Sequence, residues 1–464
     1  MKSPGELAIV LHTHMPYVEG FGTWPFGEEW LWEAIATSYV PLLGVLGRAP
    51  VTLSLTPVLC DQFEAPGAMQ RCIRWLREIR PESHRLDIES VRAAGEGGLA
   101  GELERSAAEY AAAADRLDVI GGDLLGVLGP HVSWTSSATH AVLPLLATDA
   151  GVALQVETAI ASHRRRFGHW NGGFWLPECA HAPWLDGLLE DCGVHATCVE
   201  LTEAFGLGAR EHLRALVTDE GPVLWPIDRA TIDLVWGDAG YPAASAYRDY
   251  HRHTYHRHRV WANDGGAYDR DAALALAREH AADFVARVRS RVHDGGVCVC
   301  ALDTELLGHW WYEGVAWLEA VLEEANRGGL ALTTLDDALG RHEPVPAPPT
   351  LPETTWGAGG DLSTWSGPAV AGLAWEARTA ELAVIRAGGS APERAVRELL
   401  ALQASDWSFL ATRELAGEYP RERMRGHAES LALALAGDAD GASDGESDGA
   451  VRNLAPDLIV REWL

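Results

Sequence analysis

The sequence predicts an α/β fold, with parallel strands alternating with helices and closed as a barrel in preference to an open sheet, followed by an all-helical domain. Three observations carry this. Short β-rich apolar runs recur at Glu6 to Leu11, Val51 to Leu55, Phe174 to Leu176, Val297 to Leu302 and Leu330 to Thr333. Helix-period segments such as EEWLWEAIATSYVPLLGVLG and YDRDAALALAREHAADFVARVRSRV lie between them. From about Ala371 to Leu435 the apolar pattern is helical, with no strand-like run. Alternation over residues 1–341 implies a parallel sheet, because parallel neighbours need a long crossover that a helix supplies.

At 464 residues the chain exceeds one ordinary core. The boundary is read at HEPVPAPPTLPETTW, His342 to Trp356, a proline-rich joint too rigid and donor-poor for regular structure. The expected organisation is a barrel with helical insertions over 1–341, the joint over 342–356 and a helical domain over 357–436. Residues 437–449, GDADGASDGESDG, read as an acidic disordered insert, with a short tail over 450–464.

Composition narrows the function. A net charge of -29 repels phosphate backbones, which argues against a nucleic acid partner. Nineteen tryptophans against eight phenylalanines is a lopsided inventory, and indole faces stack on sugar rings while the N–H meets a hydroxyl. An uncharged carbohydrate is therefore the favoured partner, although for any single tryptophan plain packing is the commoner fate. No stretch approaches the ~20 apolar residues of a membrane span. The opening MKSPGELAIVLHTHMPY lacks a small-residue cleavage site, so no secretory signal is expected. Seven cysteines without CxxC spacing predict reduced thiols in the cytoplasm rather than disulfides or structural zinc. No GxGxxG or P-loop fingerprint follows a strand, and no cofactor is expected.

The segments after the strands carry the chemistry. They read HTHMPY after the first, PECAHAPW near residue 175 and DTELLGHWWYEG near residue 300, and strand carboxyl ends are where parallel α/β folds place active sites. Glycosidic cleavage with retention needs two carboxyl groups about 5–5.5 Å apart, one as nucleophile and one alternating as acid and base. Glu178 in FWLPECAH and Asp303 in VCVCALDTELLGHWW are the best candidates, each at the end of an apolar strand where an isolated carboxylate is costly. A single strand-end acid is more often a helix cap. Two of them beside tryptophans change that balance.

These segments resemble glycoside hydrolase family 57, and within it the 1,4-α-glucan branching enzymes. LHTHMPYV resembles the family's first motif, with His12, His14 and Pro16, and WTSSATHAVLPLL the next, with His140. FWLPECAH resembles the nucleophile motif, implying that role for Glu178; ALDTELLGHWW resembles the acid/base motif, implying that role for Asp303, with His309 and Trp310 beside it. WPFGEEWLWEAI with Trp24, TTWGAGGDLSTW with Trp356 and Trp365, and LQASDWSFL with Asp406 and Trp407 look like the branching-enzyme subgroup. The likeness runs from about residue 7 to about 435.

The resemblance implies a distorted (β/α)7 barrel with the helical domain closing one side of the cleft. It also implies an α-1,4-glucan substrate such as amylose or glycogen, with no metal and no cofactor. His12, His14, His140 and His309 are expected to hydrogen-bond sugar hydroxyls. Trp356, Trp365 and Trp407 are expected to stack on glucose or exclude water, Trp24, Trp310 and Asp406 to bind substrate, and Glu305 and Trp311 to support the site.

The family's branching enzymes carry a mobile loop with a tyrosine near its tip that favours transfer over hydrolysis. The matching stretch, Val223 to Pro242, holds no tyrosine before Tyr241. That keeps an α-amylase-like hydrolase open as an alternative, with Trp225 or Trp236 as possible shields. Two further readings stand beside it. A metal-dependent hydrolase or deacetylase would use the HTH pair and the histidines of HRHTYHRH, His251, His253, His256 and His258, although interleaved arginines repel a cation and a charged surface helix is the blander reading. A non-catalytic glucan-binding protein would need a degenerate site, yet both carboxylates are present.

Overall fold

The computed structural model describes residues 5–437 and 451–460. Ten strands make one sheet: β1 (Glu6–Thr13), β2 (Thr52–Leu55), β3 (Val132–Ser136), β4 (Gly173–Trp175), β5 (Ala196–Val199), β6 (Leu216–Val217), β7 (Val223–Pro226), β8 (Val297–Asp303), β9 (Ala331–Thr333) and β10 (Val345–Pro346). The order is β10-β6-β7-β5-β4-β3-β2-β1-β8, with β9 paired to β1. From β7 to β8 the seven central strands pair in parallel throughout. The sheet curls until its ends meet: the N–H of Asp228, just past β7, donates to the carbonyl of Val299 in β8 at 2.8 Å. This is a distorted (β/α)7 barrel with helices outside, as the family resemblance implied.

Strands β1 and β8 lie at the centre of the core and are buried on both faces, which is why they read as unbroken apolar runs. The helical region follows, with helices Ala371–Ala387, Glu393–Leu402, Ser405–Thr412 and Tyr419–Ala436. They pack around Leu399, Leu402, Trp407 and Met424. Residues 451–460 return to the barrel, where the N–H of Ala455 donates to Asp61 at 2.8 Å. Beyond Gly437 the acidic insert lies outside the described residues.

Three expectations change. The proline-rich joint does hold regular structure: β10 pairs with β6, and Thr354 bridges His181 through two backbone hydrogen bonds of 2.8 and 2.9 Å, fastening the segment to the barrel. Proline is tolerated in β10 because that strand is at an edge of the sheet. Val223 to Pro242 is not a loop but β7 followed by helix Arg229–Trp236 and a short turn at Tyr241–Ala243. HRHTYHRH is not a surface helix. It is an extended segment in which Thr254 and His256 bind Asp87. Among the described residues no disulfide joins any two cysteines, and no helix is long and apolar enough to cross a membrane.

Candidate active site

Register brings the polar strand ends together. Parallel pairing of β1 with β8 sets His12 opposite Asp303, and pairing of β1 with β2 sets His12 opposite Ser54. The strands therefore end on one face, and the residues after them converge in a cavity of about 400 Å³. Glu178, Asp303, His12, His14, His140, Trp310, Trp356, Trp365 and Asp406 all line it.

Glu178 follows β4 in the turn Pro177–Cys179, with φ of 62° at Glu178 and 48° at Cys179. Left-handed backbone at non-glycine residues costs of order 1 kcal/mol or more each and persists only where surroundings enforce it. Here the enforcement is visible. The carbonyl of Glu178 accepts from Thr355 Oγ1 at 2.6 Å and from the Trp356 N–H at 3.0 Å. Its carboxylate accepts from the Trp356 indole at 3.0 Å and from the Ser405 hydroxyl at 3.4 Å. Asp303 ends β8 and reaches the cavity with no side-chain hydrogen bond to a described residue.

The histidines form a stack. His14 and His140 lie with ring centroids 4.0 Å apart, and His12 lies 4.9 Å from both His140 and Trp175. His12 Nε2 meets His140 Nε2 at 2.9 Å, so one of the two is the donor. His140 Nδ1 pairs with the Ser405 hydroxyl at 2.8 Å. His14 Nε2 contacts both oxygens of Asp406 at 3.0 and 3.1 Å.

Charge within the stack is divided by these partners. Burial, then the charge of His14, holds His12 well below the usual histidine range, and burial with both neighbours does the same to His140. His14 goes the other way: burial opposes its charge, but Asp406, Glu305 and Glu178 outweigh it. Protonation is thus favoured at His14, at one end of the stack, and disfavoured at His140 and His12. Burial pushes Glu178 up to about 7, against the indole bond that lowers it, with Asp406 raising it further. Asp303 is pushed well above the carboxylate range by burial and then by Glu305 and Glu178. Burial thus disfavours ionisation of both carboxyls, and the Glu178 charge adds to the preference for a proton on Asp303.

Three of the expected residues do not reach the cavity wall. Trp407 is fully buried, its N–H bound to the carbonyl of Ala401 at 2.8 Å in the helical core, so neither of its faces can meet a sugar. Trp24 is exposed with the Arg257 guanidinium 5.0 Å above its ring, away from the cavity lining. His309 is buried behind Trp310, its carbonyl held by Arg259 at 2.8 Å, and neither ring nitrogen has a hydrogen-bond partner among the described residues. Ser405, Trp30 and Arg229 line the cavity without having been anticipated. Ser405 adjoins Asp406 inside a matched segment and was legible there; Arg229 had no local signal. Of the two suggested shields, Trp225 is in the core, while Trp236 is at the wall, its ring 6.0 Å from that of Trp310. Glu305 lines the cavity as well, accepting from the Tyr39 hydroxyl and from the His14 N–H.

A parallel barrel whose strand ends hold two buried carboxyls in a tryptophan-walled pocket is the architecture of a carbohydrate-active enzyme. Residues 134–348 match the model described as Glycosyl hydrolase family 57, and residues 381–446 match that of the 1,4-alpha-glucan branching enzyme C-terminal region. The chain is 32% identical to the 1,4-alpha-glucan branching enzyme of Thermococcus kodakarensis, over 92% of this chain and 73% of that one. It is 30% identical to a probable 1,4-alpha-glucan branching enzyme of Mycobacterium tuberculosis, over 92% and 91% of the two chains. Its fold superposes on a GH57-type branching enzyme from Pyrococcus horikoshii with a TM-score of 0.89 at 30% identity, covering 99% of this chain and 97% of that one. The chain belongs to glycoside hydrolase family 57.

Proposed function

We propose that the protein is a retaining 1,4-α-glucan branching enzyme in which Glu178 is the nucleophile and Asp303 the general acid and base. The observation that carries this is the pair of buried carboxyls in one cavity, where burial and the neighbouring Glu305 and Glu178 charges favour a proton on Asp303. Asp303 gives that proton to the glycosidic oxygen as Glu178 attacks the anomeric carbon, and the C–O bond to the leaving chain breaks. Asp303 then takes the proton of an incoming 6-hydroxyl, whose oxygen displaces Glu178 and forms the branch. The Trp356 and Ser405 donors favour ionised Glu178 before attack. His12, His14 and His140 line the cavity with their ring nitrogens held by Ser54, Thr56, Ser405, Asp406 and one another, so they shape and polarise it, and Trp310, Trp356 and Trp365 wall the ring. The substrate in this reading is an α-1,4-glucan, and cysteines that form no disulfide among the described residues suit a reducing cytoplasm.

One observation favours a second reading, hydrolysis. No tyrosine of the 223–242 stretch is at the cavity, since the Tyr241 hydroxyl is bound to Asp283 at 2.7 Å. Incubation with amylose, followed by debranching and chain-length analysis, separates the two: new α-1,6 linkages support transfer, while reducing ends without branch points refute it. Loss of both products in Glu178→Gln tests the nucleophile.

A further inference from the structure

Outside the carbohydrate cleft, the segment HRHTYHRH helps to wall a second cavity of about 410 Å³. Five arginines line it, Arg80, Arg248, Arg257, Arg259 and Arg270, against the carboxylates of Glu33, Glu109 and Glu319. In a chain of net charge -29, this concentration of guanidinium groups runs against the overall balance.

The carboxylates are already committed. Glu33 binds Arg80 and the Tyr110 hydroxyl, Glu319 binds Arg48, and Glu109 binds the Tyr312 hydroxyl and Arg270. Arg80 and Arg248, only 8% and 9% exposed, each keep a buried Nε–H with no hydrogen-bond partner among the described residues. Arg257 and Arg259 have no ion pair among the described residues. Arg259 lies 4.0 Å over the Tyr250 ring and uses one N–H on the His309 carbonyl, while Arg257 lies over Trp24. A buried donor left without an acceptor costs about 1–3 kcal/mol. Planar guanidinium forks with spare N–H groups match the oxygen geometry of phosphate.

We propose that this arginine-lined cavity is a second binding site, for a phosphate-class oxyanion, distinct from the carbohydrate cleft. The cavity exceeds the size of phosphate alone, leaving room for an attached sugar. The anion therefore comes either as free phosphate or as the phosphate ester of a sugar.

Calorimetric titration of the full chain in phosphate-free, low-salt buffer tests this, with inorganic phosphate, glucose 1-phosphate and glucose as probes. Saturable phosphate binding is expected in the native chain and unchanged in Glu178→Gln. About tenfold weaker binding is expected in Arg259→Gln and in Arg257→Gln, the latter an exposed residue whose replacement leaves the core intact. Glucose 1-phosphate binding tighter than phosphate identifies the sugar ester as the source, and equal affinity identifies the free ion. No saturable binding of either anion, binding unchanged in both arginine variants, or binding abolished in Glu178→Gln overturns the assignment.

Discussion

The indole N–H of Trp356 donates to Oε2 of Glu178 at 3.0 Å, and the backbone N–H of the same tryptophan donates to the Glu178 carbonyl, also at 3.0 Å. One residue thereby fixes both the strained backbone and the ionisation of the proposed nucleophile. Trp356→Phe keeps an aromatic six-membered ring and the backbone N–H but removes the indole donor with its five-membered ring. A hydrogen bond to a charged group contributes about 1.5–3 kcal/mol, and this one lowers the Glu178 pKa. Its loss is expected to move the acidic limb of kcat/KM to higher pH by roughly one pH unit. A limb that stays in place, or moves to lower pH, contradicts this role.

Glu178→Gln is expected to reduce turnover on amylose by on the order of 10³-fold or more, since no other group in the cavity replaces the covalent step. Affinity for unreacted glucan, measured by calorimetry, is expected to persist. Turnover within tenfold of the native value would remove Glu178 from the mechanism.

The same substitution carries a stability signature. A carboxyl whose folded pKa is raised to about 7 from 4.5 binds its proton more tightly in the folded chain than in the unfolded one. Folding stability then falls as pH rises from about 4.5 to about 7, by up to roughly 3 kcal/mol from this group. Glu178→Gln should therefore melt above the native protein at pH 8 and close to it at pH 4. Glu305, also pushed up to about 7 by burial, predicts the same sign for Glu305→Gln. Calorimetric melts at the two pH values check both variants.

Trp407 and Trp365 are expected to separate packing from binding. Trp407→Ala empties a fully buried site and should cost about 3–5 kcal/mol in denaturant unfolding. Trp365 lines the cavity, so Trp365→Phe should raise KM for glucan several-fold with a smaller stability change. Equal effects of the two on KM would show that burial has misplaced Trp407.

Trp236 lies against Trp310 on the cavity wall, in a position to shield the site from water. Opening that wall with Trp236→Ala should raise the ratio of reducing ends to α-1,6 branches without abolishing cleavage. Product analysis on amylose reads the ratio directly.

The parts of the fold that were legible are those whose residues carry a strong local pattern. β1 and β8 are buried on both faces and so read as apolar runs, and the helices after Ala371 keep a helical period. β3 and β5 were missed because VSWTS and ATCV are short and rich in hydroxyl or thiol side chains that the sheet accepts only in context. β7 was read as loop because a strand of only VLWP gives little period to detect. At the site, residues directly after strands were found, since register alone brings His12 and Asp303 side by side. Arg229 and Trp30 were not found, because their place depends on how helices cross the barrel mouth. Trp407 was misjudged because a tryptophan packed in a core and one awaiting a sugar look alike in one dimension.

Ser405 and Asp406 belong to the helical region, yet they touch Glu178 and His14 at the heart of the barrel site. A ribosome releases Glu178 and Asp303 long before it reaches those helices. The nascent barrel therefore emerges with its acid pair untuned and its histidine stack lacking a counterion, and the enzyme becomes competent only when its last helices dock.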